Sequence, residues 1–220
     1  MSNIEEHAQA AQLSWAPAYG RFARVLLERD LRTGVEVGVA FGGHSESILE
    51  QSSVETLYGV DPYTKRSDYA DIVVEQSYFD EIHDFAVERL STFGPRFQMI
   101  RAMSEEAVNQ VPDEIDFVYV DADHTCQAVW SDLCHWHPKV RPGGVIGGHD
   151  YDHPDHPGVK LAVDEFCSRL DAEVHVEGEG VWWAERPTSP GRIPITSFDC
   201  KRSWQARATT AVSRTLARLR

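Results

Sequence analysis

Two short runs concentrate carboxylates and imidazoles. VYVDADH closes an apolar run with Asp121, Asp123 and His124, and GGVIGGHDYDHP closes another with His149 and Asp150. Two carboxylates and an imidazole converging at neighbouring strand ends can form an oxygen-rich metal site, and a cation held there lowers the pKa of a bound hydroxyl. The competing role for such acids is to cap the helices that follow. Asp121 fits that role less well, because it ends a strand with an apolar interior. Six of the ten histidines fall between residues 124 and 156: His124, His135, His137, His149, His153 and His156. His135 and His137 flank Trp136 near a helix end, where interaction with the C-terminal helix dipole is expected. His153 and His156 belong to DYDHPDHPG, read as a surface loop, with a lid over the pocket as the alternative.

A second group lies earlier in the chain. The run Glu36-Val37-Gly38-Val39-Ala40-Phe41-Gly42-Gly43-His44-Ser45 ends a strand in glycines that permit a tight turn before a helix begins near Ser45. Ala40 stands where a dinucleotide loop of the form G-x-G-x-x-G has its middle glycine. Asp61 ends the next strand, 25 residues after Glu36. An acid at that place can accept hydrogen bonds from ribose hydroxyls, so the pair points to nucleoside binding. Taken alone, Asp61 could be a turn residue before Pro62.

The elements that position these groups follow from hydrophobic patterning. Strands are expected at 34–39, 56–61, 97–102, 116–121, 143–148, 172–177 and 180–186, with helices between them at 43–51, 77–92, 104–110, 124–137 and 158–170. The first, second and fourth strands are nearly continuous apolar runs, as strands covered on both faces should be. Such alternation builds a mostly parallel sheet flanked by helices on both faces, with ligands bound beyond the strand carboxyl ends. The last two strands are separated by a short turn near Gly178, which makes them a hairpin with a reversed final strand. A helix over 10–31, broken near Pro17, precedes the sheet. The division expected is an N-terminal helical segment over 1–33, the α/β domain over 34–186, and a connector with a tail over 187–220.

Composition narrows the function classes. A chain of 220 residues, 42% of them hydrophobic, suits one globular core rather than a disordered polymer. No run approaches the length of a membrane span, and the acidic start MSNIEEHAQAAQLSW is unlike a signal peptide. The four cysteines, Cys126, Cys134, Cys167 and Cys200, show no disulfide-framework or zinc-ribbon spacing. Reduced thiols and a cytoplasmic address are therefore expected. Residues 1–200 hold 15 of the 21 basic side chains and all 35 acidic ones, a balance of −20 that argues against nucleic acid as a partner. The last twenty residues carry six basic groups and no acid. Trp204, Ala208, Ala211, Thr215 and Leu219 there follow helical spacing, so a basic amphipathic helix is expected, resting on the protein's own acidic surface or, as an alternative, on an anionic membrane.

The runs EVGVAFGGHS, YGVDPY, RAMSEEA and DFVYVDADHTCQAVWSDLCHWHPKVRPGGVIGGHDY together resemble class I S-adenosylmethionine-dependent methyltransferases, and within them the bacterial methyltransferase family 24. The resemblance covers about Gly34 to Arg186, and its most specific part is the block from DADH to GGHDY. It implies a Rossmann-like seven-stranded sheet in the order 3-2-1-4-5-7-6 with strand 7 antiparallel, in agreement with the hairpin read from the residues. It further implies cofactor contacts from Gly38 and Gly42 to the methionine moiety, Glu36 beneath that loop, Asp61 on the ribose, and Met103 and Ser104 at the adenine, with Asp121 also counted among the cofactor-binding residues. Metal-dependent relatives place an acid at Asp121, and an acid with an acid or amide where this chain has His149 and Asp150. Histidine there is a departure that suits Mn²⁺, Fe²⁺ or Zn²⁺ better than Mg²⁺. Asp123 matches the general base of antibiotic-sugar methyltransferases, with His124 as the competing candidate. The lysine of catechol methyltransferases has no counterpart, since no lysine lies between Lys65 and Lys139.

The leading expectation is metal-assisted O-methylation of a small-molecule hydroxyl, using S-adenosylmethionine and Mg²⁺ or Mn²⁺. Metal-free methyl transfer with a His or Asp base, and a non-catalytic cofactor-binding subunit, are the alternatives. The segment Tyr63–Tyr69 and the 151–157 loop should border the acceptor pocket. Trp182 and Trp183 should face opposite ways, one into the core and one outward. A homo-oligomer is compatible with all of these readings.

Overall fold

The computed structural model describes residues 3–65, 75–188 and 198–200. Seven strands, β1 (Thr33–Val37), β2 (Thr56–Val60), β3 (Phe97–Ile100), β4 (Ile115–Val120), β5 (Val140–Gly148), β6 (His175–Gly178) and β7 (Val181–Glu185), form one sheet. Their order is β3-β2-β1-β4-β5-β7-β6. The first five are parallel, and β7 runs antiparallel to both β5 and β6. Both the order and the reversed strand agree with expectation.

Alternation along the central strands divides the core into two layers. On β4, Val118 and Val120 face a layer built with Trp130, Leu133, Ala162 and Phe166 of helices α5 (Cys126–Trp136) and α6 (Pro157–Leu170). Phe117 and Tyr119 face the opposite layer, built with Phe22, Leu26, Ile48 and Ala86. Those residues come from α1 (Asn3–Glu28), α2 (Gly43–Gln51) and α3 (Gln76–Leu90). Because both faces are covered, Trp182 and Trp183 are both buried, at 0% and 8% exposure, which corrects the outward assignment of one of them. Trp183 lies between the His175 ring, stacked at 4.1 Å, and the Arg29 guanidinium at 4.3 Å, and its indole donates to Glu177.

Three other expectations change. Helix α1 already runs at Asn3 and continues through Pro17 without a break. Residues 13–17 are exposed, so the carbonyl that Pro17 cannot bond faces solvent, which can satisfy it. Cys126 and Cys200 form a disulfide across 74 residues of sequence, while Cys134 and Cys167 are free and buried. The pairing brings the start of α5 to the segment after β7, a juxtaposition made by the tertiary fold that linear spacing does not display. Phe198 in that segment is buried against Trp130. Residues 66–69 of the expected pocket border, most of the connector and the basic tail lie outside the described residues. No described helix is long and apolar enough to cross a membrane.

Helix starts follow local chemistry. Thr125 caps α5, its hydroxyl accepting from Ala128 N, and Pro157 opens α6, where its missing N–H costs nothing. At the other end of α5, His137 Nδ1 lies 3.1 Å from the Leu133 carbonyl and 3.2 Å from that of Cys134, the C-terminal partnership expected of it. One buried carboxyl is costly: burial pushes the Asp132 pKa up to about 6, against a hydrogen bond from Ser104 that lowers it. A carboxyl raised in the folded state favours folding while protonated, and that advantage is lost as pH climbs from the unfolded value towards 6. Asp132→Asn should therefore stabilise the protein by about 2–3 kcal/mol at pH 7.5 and by almost nothing near pH 4, measured as urea unfolding at both pH values.

Candidate active site

Strand register assembles the site. Val60, Val37, Val120 and Gly148 are paired across β2, β1, β4 and β5. The next residues, Asp61, Gly38, Asp121 and His149, therefore stand in one row at the carboxyl ends of four adjacent strands. Backbone bonds continue the ladder into that row: Gly38 N donates to Val60 O at 2.8 Å and Asp121 N to Val37 O at 2.8 Å. Gly38 has φ +96°, and a Cβ there would lie 2.0 Å from the Asp121 carbonyl oxygen. Only glycine permits this approach of the two strand ends.

On the β1 side, three acceptor bonds fix the loop. Asp61 Oδ2 accepts from Val39 N at 3.0 Å and Ala40 N at 3.1 Å, and its Oδ1 accepts from Tyr63 N at 2.9 Å. Burial raises the Asp61 pKa, while these backbone donors lower it. A carboxylate offers about four acceptor sites. Asp61 thus braces the loop and retains capacity for a hydroxyl beyond it. Tyr63, buried with φ +45°, closes the turn by donating its hydroxyl to the Ala40 carbonyl at 2.8 Å. Glu36 is 1% exposed and joins β1 to α2 through His44 Nδ1 at 2.7 Å and through the Ser45 hydroxyl. Gly42, in the left-handed region, caps α2. Met103 caps α4 (Ser104–Ala107), and Ser104 Oγ accepts from the Trp136 indole at 2.9 Å.

On the β4–β5 side, charges of both signs meet. His124 Nε2 lies 2.9 Å from Asp150 Oδ2 and 3.4 Å from Asp121 Oδ1, and His149 Nδ1 lies 3.3 Å from Asp150 Oδ2. Burial opposes charge on His124, yet the bonds and charges of Asp121 and Asp150 outweigh it and push its pKa up to about 10. Burial likewise would raise Asp150, but hydrogen bonds from His124 and His149 hold it well below the usual carboxylate range. Asp150 sits in the left-handed region, φ +57°, which an aspartate tolerates better than most side chains. One donor atom from each of Asp121, His149 and Asp150 lies within 4.8 Å of the others. A mixed carboxylate–imidazole set of this kind fits a divalent cation, Mn²⁺, Fe²⁺ or Zn²⁺ better than Mg²⁺.

Asp123 stands beside this cluster, half-buried, its Oδ1 accepting from Thr125 N at 2.8 Å. This is an Asx-turn contact to the residue that caps α5, so the capping role itself belongs to Thr125 and not to Asp123. All the expected residues fall into two adjacent groups, around the β1–β2 loop and at the β4–β5 ends, with Met103 and Ser104 following β3. Two neighbours escaped the sequence reading as site residues. Tyr19 of α1 reaches the His44 ring at 5.6 Å, and its phenol pKa is raised by burial and by the charges of Glu36 and Asp121. Helical periodicity shows only which face of α1 is apolar and could not have revealed this. His156 stacks on His124 at 4.3 Å; its histidine-rich loop was the available signal.

A family model described as a methyltransferase domain, that of methyltransferase family 24, matches residues 35–151, just over half of the chain. The chain belongs to methyltransferase family 24. It has the class I S-adenosylmethionine-dependent methyltransferase fold. An uncharacterised protein, R132, of Acanthamoeba polyphaga mimivirus is 26% identical over 150 residues, covering 66% of this chain and 63% of the viral one. The family-24 chain thus spans less than two thirds of that relative's length. Among solved structures, an O-methyltransferase from Bacillus cereus in complex with S-adenosylhomocysteine superposes with TM-score 0.55 at 15% identity, covering 84% of this chain and 91% of that one. The O-methyltransferase TomG from Streptomyces achromogenes, in complex with S-adenosylmethionine, gives TM-score 0.58 at 14% identity, covering 86% and 91%. At these identities the likeness establishes the fold.

Glu36 is the anchor of the family-24 loop, and removing it strands two buried partners. Glu36→Ala should cost about 2–4 kcal/mol of unfolding free energy in urea, and Glu36→Gln less than half of that, because the amide still accepts from Ser45.

Proposed function

We propose that this family-24 protein is an S-adenosylmethionine-dependent methyltransferase, and specifically a metal-assisted O-methyltransferase acting on the hydroxyl of a small molecule. The observation that carries the reading is the convergence of Asp121, His149 and Asp150 beside Asp123, one strand away from the loop braced by Asp61. Both solved neighbours named above are O-methyltransferases. In this reading Gly38 and Gly42 border the methionine moiety of the cofactor, Glu36 supports their loop, Asp61 takes a ribose hydroxyl, and Met103 and Ser104 border the adenine. Ser104 already serves Trp136 and Asp132, so its part is to fix the backbone that lines the pocket.

Methyl transfer is an in-line displacement at a sulfonium carbon, and the cofactor brings the electrophile. The protein must align the acceptor oxygen and take its proton. Asp121, His149 and Asp150 would hold the cation, which supplies Lewis acidity that lowers the acceptor hydroxyl's pKa. Asp123, outside that donor set, is the proton acceptor, because a base must stay uncommitted to the cation to bind the proton. His124 is the weaker candidate: its hydrogen bonds to Asp121 and Asp150 favour the protonated ring, which has no lone pair to offer. The acidic body suits a cationic cofactor.

Two measurements test the proposal. Chelation followed by gel filtration should abolish turnover of a hydroxylated acceptor, and Mn²⁺ should restore it; undiminished turnover in metal-free protein would favour the metal-independent mechanism. Asp61→Ala should weaken S-adenosylhomocysteine binding by about 1–3 kcal/mol in calorimetry, the worth of a charge-assisted bond. Unchanged affinity would place the ribose elsewhere.

A further inference from the structure

His156 belongs to no group discussed so far except by its contact with His124. It occupies the N-cap of α6, yet its side chain makes no capping hydrogen bond. Its ring stacks on His124 with centroids 4.3 Å apart and planes at 25°, and His153 stacks on it in turn at 4.8 Å. One nitrogen of His124, one of His156 and one carboxylate oxygen of Asp150 lie within 4.8 Å of one another. This is a donor set different from Asp121, His149 and Asp150, with which it shares only Asp150.

The placement is built into the packing. Gly158, in the first turn of α6, is pressed against the start of α5: a Cβ there would lie 2.6 Å from Cys126 N and 3.1 Å from the His124 carbonyl oxygen. The missing side chain lets the α6 N-terminus approach His124 closely, and His156 two residues earlier is brought beside the His124 ring. Behind it, His153 Nδ1 accepts from Asp155 N at 3.3 Å, which fixes the intervening turn.

We infer that His124, Asp150 and His156 form a second cation site, selective for a first-row transition ion such as Zn²⁺ or Co²⁺. Two imidazoles with one carboxylate match the preference of these ions, whereas Mg²⁺ favours a shell of oxygens. Imidazole nitrogens donate in the plane of the ring, so the stacked His124 and His156 rings would swing out of their stack to bring one nitrogen each to a shared ion. Those nitrogens already lie within 4.8 Å of each other. His124 and His149 both face Asp150 Oδ2, so serving this site and the donor set of the proposed reaction together would turn the second oxygen, Oδ1, to one of them. Occupancy would tie the 151–157 loop to the end of β5 through His156, placing that loop over the region assigned to the acceptor. His124 is on this account a ligand.

The site is tested by binding, independently of turnover. Full-length protein freed of metal is titrated with Co²⁺, read by its visible absorption bands, and with Zn²⁺ by calorimetry, for the wild type, His156→Ala and Asp121→Asn. Circular dichroism and thermal unfolding of each variant verify the fold, and S-adenosylhomocysteine binding to the wild type and His156→Ala verifies the cofactor pocket. The expected result is that His156→Ala loses about tenfold or more in Zn²⁺ affinity and changes the Co²⁺ spectrum, while Asp121→Asn retains a Zn²⁺ site of near wild-type affinity. Equal Zn²⁺ affinity and an identical Co²⁺ spectrum in His156→Ala would overturn the inference. If binding is then lost in Asp121→Asn instead, the ion occupies the other donor set and the metal-assisted reading stands without this site. Failure of wild-type protein to bind either ion would refute both metal assignments and leave cofactor binding to be judged by the S-adenosylhomocysteine control.

Discussion

The approach of Gly38 to the Asp121 carbonyl ties the two halves of the site together. A Cβ at Gly38 would come within 2.0 Å of that oxygen, so β1 and β4 can end side by side only with glycine there. Parallel strands that end in register display their next residues as a row, and here the row reads Asp61, Gly38, Asp121, His149. The loop braced by Asp61 and the charged cluster of β4 and β5 are consequences of the same termination. Displacing β4 by one residue would turn Asp121 to the other face and separate it from Asp150.

The charged cluster also accounts for the balance of forces around it. Asp150 is nearly buried, in a strained left-handed backbone conformation, and bonded to two imidazoles. Buried charges of one sign would repel and desolvate at high cost, so acids and histidines compensate one another there until a ligand takes over that role. The proposed cation would replace protons as the counter-charge. On the other face, Glu36 performs the same service for the α2 terminus, and Tyr19 shows that α1 forms part of the wall around both groups.

Much of this was legible in the residues. The parallel strands announced themselves as apolar runs ending in acids or glycines, and the closing hairpin by its short glycine-bearing turn. The resemblance to methyltransferases, carried by the DADH and GGHDY blocks, implied the sheet order that the structure shows. What stayed hidden depends on contacts between distant segments. Cys126 and Cys200 are 74 residues apart and meet only once α5 and the segment after β7 pack. Trp183 alternates with Trp182 like any strand pair, and only the covering by α1 makes both interior. Pro17 looked like a helix break because periodicity does not register that the carbonyl one turn earlier faces solvent. His156 read as a loop residue because nothing in linear spacing places it against His124.

The central claim, that the row at the strand ends is an S-adenosylmethionine pocket, is tested most directly by calorimetric titration of the folded protein with S-adenosylhomocysteine, using NADH as the control ligand. The account predicts saturable binding at one site for the first and none for the second. No binding of S-adenosylhomocysteine, or equal binding of NADH, would contradict it.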